Sequence, residues 1–341
     1  MSKDKIANIN KERLDDISIL RACCILVVVF FHCYGMMYAE AHFPETISEY
    51  KKLYFIPVQC VFINIAMPMF VFISGYLFKF LLQKGKYPTW GNLLQKKGVR
   101  ILLPYFVFGL LFMATTNDWH PFQLFNGNYW HLWFLPMLFW CFILGYGIYK
   151  MQLRLWAKLV LVIITFIFSL IPKFIPTWFG LHAITGWFYW FYIGMFSYKN
   201  RNLIYSYFRK YKLLLPLLLG SISTIIFFPV EYGDDTWYGN LAVTICIVSI
   251  SYLMNSIDWS KYKFNSIIAK FSSYSFGIYI WHNWIAMMLI SKTSQNLFGL
   301  PALAANHYIL FPLCFSLLTL VISFILSFCM MKTKVGRFLI G

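Results

Sequence analysis

The first apolar run, RACCILVVVFFH, begins on Arg21 and ends on His32, a cation and an imidazole eleven positions apart. On an α-helix eleven residues turn the chain by about 1100°, which brings both side chains to within roughly 20° of one face and about 16 Å apart along the axis. If Arg21 sits at a bilayer surface, His32 lies near the middle of a hydrocarbon layer about 30 Å thick. A titratable ring at that depth is costly to insert and marks a candidate functional site. Imidazole changes charge near neutral pH, so the chemistry it suits is proton transfer or transient group carriage. His282 and Asn283 fall inside a second such run, SYSFGIYIWHN. Hydrogen bonding between helices is the alternative use of buried polar groups there.

Cations are the other chemical signal. In QKKGVRILLPYF, Lys97 and Arg100 are three apart and project to one side of a helix. With Arg21 they would form a cationic mouth suited to a phosphorylated small molecule, because guanidinium forks match phosphate oxygens. Anchoring at the membrane surface is the plainer alternative. His131 stands between Trp130 and Trp133 in NGNYWHLWFLP, where the tryptophans read as an interfacial belt and the histidine as a candidate substrate contact.

The elements that position these residues are membrane spans. The 341 residues are 60% hydrophobic and 12% charged, with a mean hydropathy of +0.65, far more apolar than a soluble domain. Apolar runs long enough to cross a bilayer fall at 17–38, 53–80, 101–116, 131–149, 157–171, 183–198, 213–230, 238–257, 274–290 and 308–331. The expectation is an all-α, polytopic fold of about ten helices in one integral membrane domain over residues 1–341. Residues 1–16 and 332–341 form its cytoplasmic ends. The second run carries Pro57, Asn64 and Pro68, which fits either a broken helix lining a cavity or one long kinked helix.

Charge supports this arrangement. The net charge is +17, and alternating loops place 25 of the 29 Lys and Arg residues on the side of the termini, with seven of the twelve acids opposite. By the positive-inside rule both termini face the cytoplasm. Basic loops facing anionic lipid are ordinary, so nucleic acid is not an expected partner. The eight cysteines lie in apolar runs without metal-ligand or disulfide spacing. No zinc motif, Gly-rich phosphate loop or Gly-x-Ser-x-Gly elbow occurs. The first run lacks a small-residue cleavage site and reads as a retained span.

Taken in order, these motifs resemble the acyltransferase-3 family of multi-pass membrane O-acyltransferases over nearly the whole chain. The resemblance rests on Arg21 and His32 in the first span and on Ser74, Gly75 and Tyr76 closing MPMFVFISGYLF. It rests also on Lys97 and Arg100 opening the third, on Trp133 to Leu135, on Gly277 to His282, and on the tail VGRFLIG. Two positions depart from the pattern. Ser18 stands where many members carry an acid, and Lys97 replaces an arginine, keeping the charge without the fork. The chain resembles the stand-alone type, without an appended esterase-like domain.

The resemblance implies transfer of an acyl group, commonly acetyl, from acyl-CoA to a hydroxyl of a cell-surface or lipid-linked carbohydrate. It places the chain in a bacterial-type cytoplasmic membrane, with no tightly bound cofactor and acetyl-CoA as donor substrate. Arg21, Lys97 and Arg100 would hold the donor phosphates. His32 would act as base or acyl carrier, His282 would relay a proton or orient the acceptor, and Ser74, Tyr76 and His131 would line the path. A transporter exporting a lipid-linked or modified saccharide is the alternative.

Overall fold

The computed structural model describes residues 15–38, 62–116, 119–170, 177–227, 236–291, 299–307 and 310–341. These are 87% helical, without a strand among them. The long helices are α1 (Asp15–Tyr38) and α2 (Met67–Gln83), the latter entered through a wide π-turn at Phe62–Ala66. Next come α3 (Trp90–Lys97) and α4 (Leu103–Thr116), joined by a second π-turn at Gly98–Leu102, and the short α5 (Gln123–Asn126). Then follow α6 (Phe134–Lys150), α7 (Leu155–Leu170), α8 (Ala183–Lys210), α9 (Leu214–Phe227) and α10 (Trp237–Ser256). The chain closes with α11 (Asn265–Ser273), α12 (Ser275–Leu289), α13 (Leu300–Asn306), α14 (Leu310–Lys332) and α15 (Lys334–Ile340).

Each of the ten expected runs contains a helix. Among the described residues, six segments are both long and apolar enough to cross a membrane: Asp15–Met37, Asn64–Gln83, Trp90–Thr116, Trp130–Lys150, Trp237–Ser256 and Leu310–Lys332. Leu155–Leu170 and Leu214–Ile226 are apolar but shorter. Pro57 and the acids Glu40, Glu45, Glu49, Glu231, Asp234 and Asp235 lie outside the described residues. Pro68 sits in the first turn of α2, where a missing N–H costs nothing, and so breaks no helix.

Packing is set by small residues. A Cβ on Gly75 of α2 would stand 1.9 Å from the Phe191 carbonyl oxygen of α8, and one on Gly194 of α8 would stand 2.0 Å from the Phe72 carbonyl oxygen. The two backbones therefore touch, as small residues permit between membrane helices. Helix α14 supplies a second seam. Ser316, Thr319, Ser323 and Ser327, at helical spacing on one face, are fully buried. Ser316, Ser323 and Ser327 each donate to the carbonyl four residues back, which leaves a narrow surface for α12 and α1. The Ser327 hydroxyl lies where a Cβ on Gly277 of α12 would be. The acidic first turn of α1 is fixed to the later helices: Asn255 donates to Asp16 at 3.2 Å and Asn265 to Asp15 at 2.8 Å. The tail folds back as α15, capped by Thr333 accepting from the Gly336 amide at 2.9 Å, with Ile340 buried beside Gly277.

Candidate active site

A cavity of about 270 Å³ lies where α1, α2, α6, α12 and the 98–102 turn converge. Its lining includes Arg21, Ser74, Lys97, Arg100, Phe142 and Tyr279. The three cations expected to share a mouth are thus brought together. Arg21 donates through Nε to Ser272 at 3.0 Å. Lys97 holds its ammonium 3.3 Å from the centroid of Phe142, with Phe78 and Tyr87 at 5.7 and 5.5 Å. This aromatic box supports the charge from three sides. Arg100 is exposed at the rim. Lys86, in the neighbouring loop, is held below its ordinary value by partial burial and by the charges of Arg100 and Lys96, the signature of positive charge left unneutralised.

The elements position these groups by helical period. On α2, Met67, Phe70, Ser74, Leu77 and Leu81 share the cavity face. Gly75 meets α8, and Tyr76 is buried on that side against the Tyr198 ring, 5.0 Å away. Each residue of Ser74-Gly75-Tyr76 therefore has a separate use, and Tyr76 is not among the cavity residues. Ser74 lines the cavity while donating to the Phe70 carbonyl at 2.9 Å.

Three helix faces continue from the cavity into a cluster of imidazoles. On α1 the order is Arg21, Val28, His32; on α12 it is Ser275, Tyr279, His282. On α6, Leu138, Leu135 and Phe134 lead back to His131 in the turn before it. All but the histidines line the cavity. The ring centroids lie 5.0 Å apart for His32–His282 and His131–His282, and 6.3 Å for His32–His131. His131 and His282 are buried and His32 is half-buried. Tyr279 stands between cavity and cluster, 5.4 Å from the His131 ring and 6.0 Å from His282, and its hydroxyl donates to the His131 carbonyl.

The hydrogen bonds fix two of the tautomers, because a carbonyl can only accept. His131 donates from Nε2 to Ile280 at 3.0 Å. His282 donates from Nδ1 to Tyr279 at 2.7 Å and to Ile278 at 3.2 Å. The remaining nitrogens, His131 Nδ1 and His282 Nε2, are bare acceptors, buried without a hydrogen-bond partner among the described residues. Buried acceptors are ordinarily paired, so two orphans in one cluster mark a place for a substrate proton.

His131 reaches this position through Trp130, whose φ of 41° is in the left-handed region. For a bulky residue that conformation costs about 1–2 kcal/mol. Aromatic packing holds it: Trp130 lies parallel to Tyr129 at 5.2 Å and to Phe112 at 6.5 Å. Phe112 in turn faces Trp284 at 5.9 Å.

The family model described as "Acyltransferase domain" matches residues 14–328. The chain belongs to this acyltransferase family. Among curated proteins, those named "Probable poly-beta-1,6-N-acetyl-D-glucosamine export protein" from Staphylococcus aureus strains MSSA476, MW2 and N315 are each 24% identical over 253 residues. That covers 67% of this chain and 70% of theirs. No solved structure matches the chain.

Membership and apolar helices together give a multi-pass membrane acyltransferase. Tyr279 belongs to the stretch Gly277 to His282 that carries the resemblance, and its place four residues after Ser275 and three before His282 puts it on their face of the helix. Asp15 and Asp16, the two described acids on α1, accept from Asn265 and Asn255.

Proposed function

We propose that this membrane acyltransferase transfers an acyl group, most simply acetyl, from acyl-CoA to a hydroxyl of a cell-surface or lipid-linked carbohydrate. The observation that carries the reading is the continuity of three helix faces from a cationic cavity to a cluster of imidazoles with bare nitrogens. Coenzyme A is polyanionic, and Arg21, Lys97 and Arg100 suit its phosphates. Its thioester would extend between Ser74, Phe142 and Tyr279 toward His32.

In the transfer step His32 takes the proton of the acceptor hydroxyl as the oxygen attacks the thioester carbonyl. The C–S bond then breaks, and the coenzyme leaves as its thiol by accepting that proton from the imidazolium. A group positioned for such proton transfer contributes about 10²–10⁴ in rate. His282 and His131, with their tautomers set by main-chain carbonyls, orient the acceptor hydroxyl through Nε2 and Nδ1. The flat rings of Trp130 and Trp284, both half-buried, suit the apolar face of a sugar. Ten crossings with both termini in the cytoplasm of a bacterial-type cell would put the cation-lined cavity on the side where acyl-CoA is made.

The deciding experiment uses the full chain in nanodiscs with radiolabelled acetyl-CoA and a surface glycan as acceptor. Wild-type protein transfers label, and His32→Ala abolishes transfer while remaining folded by size-exclusion chromatography. Undiminished transfer by that variant removes His32 from the mechanism. The name of the staphylococcal relatives supports a second reading, saccharide export. It prevails if vesicles carrying the protein move saccharide and no donor is consumed.

A further inference from the structure

A second cavity, of about 280 Å³, opens between the ends of α6 and α7 and the middle of α8. Three lysines reach it from three helices: Lys79 from α2, Lys158 from α7 and Lys199 from α8. Their neighbours there are Tyr149, Gln152, Tyr192 and Asn200. Lys79 rests its ammonium over Tyr149, 4.2 Å from the ring centroid. Lys158 and Lys199 line the same pocket, where each feels the other's charge. No carboxylate lines this pocket among the described residues. The three described acids are engaged elsewhere, Asp15 and Asp16 with asparagines and Asp258 with Ser260 and Lys261.

Like charges held together without an acid repel one another, and an anion placed among them reverses that cost. Local backbone geometry maintains the pocket. Helix α8 kinks at Asn200, whose φ of −107° and ψ of 15° leave the helical range, and whose side chain donates to the Phe196 carbonyl at 2.9 Å. Gln152 turns the chain from α6 toward α7 with a φ of 48°. Both residues line the pocket.

We propose that Lys79, Lys158 and Lys199 form a phosphate-binding site, separate from the central cavity and on the opposite side of α2. Ser74 and Lys79 are five residues apart on that helix, so they point about 140° away from each other. The phosphate could be a phospholipid headgroup or a soluble phosphate. A lipid has a track to follow, because Leu159, Val160, Ile163 and Ile167 of α7, beginning one residue after Lys158, are exposed apolar side chains. Basic pockets between membrane helices take anionic headgroups in this manner.

The test measures the melting midpoint of the full chain in nanodiscs, with two arms. One adds inorganic pyrophosphate to protein in pure phosphatidylcholine; the other replaces part of that lipid with phosphatidylglycerol. A ligand that binds only the folded state should raise the wild-type midpoint by about 2–6 °C in at least one arm. A rise with phosphatidylglycerol alone assigns the site to lipid, and a rise with pyrophosphate assigns it to a soluble phosphate.

The increment should vanish in the variant carrying Lys79→Gln, Lys158→Gln and Lys199→Gln, and survive Lys97→Ala with Arg100→Ala. Lys158→Glu gives a second check should the triple variant not fold. It should raise the midpoint without ligand, by placing an acid between two lysines, and abolish the increment. A wild-type midpoint flat in both arms overturns the proposal, as does an increment that persists in either lysine variant. None of these readings depends on acyl transfer, so they stand apart from the fate of His32.

Discussion

The two cavities sit on opposite faces of α2, and each gathers three cations, the central one from two parts of the chain and the outer one from three. They differ in what lies beyond the charge. From Arg21, Lys97 and Arg100 the lining passes through Ser74, Phe142 and Tyr279 to three imidazoles, two with bare nitrogens. From Lys79, Lys158 and Lys199 it passes to Tyr149, Tyr192 and the lipid-facing side of α7. Positive charge suits an anion in both places, and only one adjoins groups that can move a proton. The contrast also separates residue types. The central cavity has two arginines, whose forks can hold a ligand in one orientation, whereas the outer pocket has lysines alone, which can attract without orienting.

The harshest test removes the wall between them. Gly75 and Gly194 let α2 and α8 touch, and any side chain there meets main-chain oxygen at about 2 Å. Backbone cannot yield as a rotamer does, so Gly194→Leu should cost more than about 3 kcal/mol, a large share of a net stability of about 5–15 kcal/mol. The expected outcome is aggregated protein on size-exclusion chromatography, with both ligand sites lost together. Monodisperse protein keeping either site would mean that the shared wall is not what shapes the two cavities.

A narrower test touches one side only. His282→Ala should lower acyl transfer by about 10²–10⁴ and leave the phosphate-induced rise in melting midpoint unchanged. If transfer survives, His282 serves only to satisfy the carbonyls of Ile278 and Tyr279.

Much of this was readable from the chain. Period and hydropathy located the helices because a spanning segment must satisfy its own backbone and face lipid. Arg21 and His32 were linked by arithmetic alone, since eleven residues close three turns of one helix. Lys97 and Arg100 were legible for the same reason. His131 was harder, because it lies in a four-residue turn whose direction depends on Trp130 adopting a left-handed conformation, and no periodicity encodes that. Tyr76 misled: its motif placed it on the path, but two residues past Ser74 is about 200° around a helix, and that side belongs to α8. The meeting of Lys79, Lys158 and Lys199 was invisible, since it depends on a kink at Asn200 and on helices far apart in sequence.

A moderate effect separates the entrance residues from one another. Lys97→Ala and Arg100→Ala together should raise the KM for acyl-CoA about 10–100-fold, as expected for losing about 1.5–3 kcal/mol of charge-assisted contact in total. Measured singly, the two should differ in salt dependence. Arg100 is exposed, so its contribution fades as ionic strength rises, while Lys97 sits inside its aromatic box and is screened less. Equal salt dependence would place both at the surface as membrane anchors.

The smallest expected effect concerns the partition between entrance and imidazoles. Tyr279→Phe keeps the ring and removes one neutral hydrogen bond, to the His131 carbonyl, worth about 1 kcal/mol. Transfer should fall only about fivefold, with the KM for acyl-CoA unchanged. Tyr279→Ala removes the ring itself and joins the cavity to the histidines. If Tyr279 keeps solvent from the thioester until an acceptor arrives, that variant should hydrolyse acetyl-CoA in the absence of glycan, detected as free thiol, whereas Tyr279→Phe should not. If neither variant releases thiol and both transfer alike, the ring is a packing residue, and the central cavity joins its histidines by a route that bypasses it.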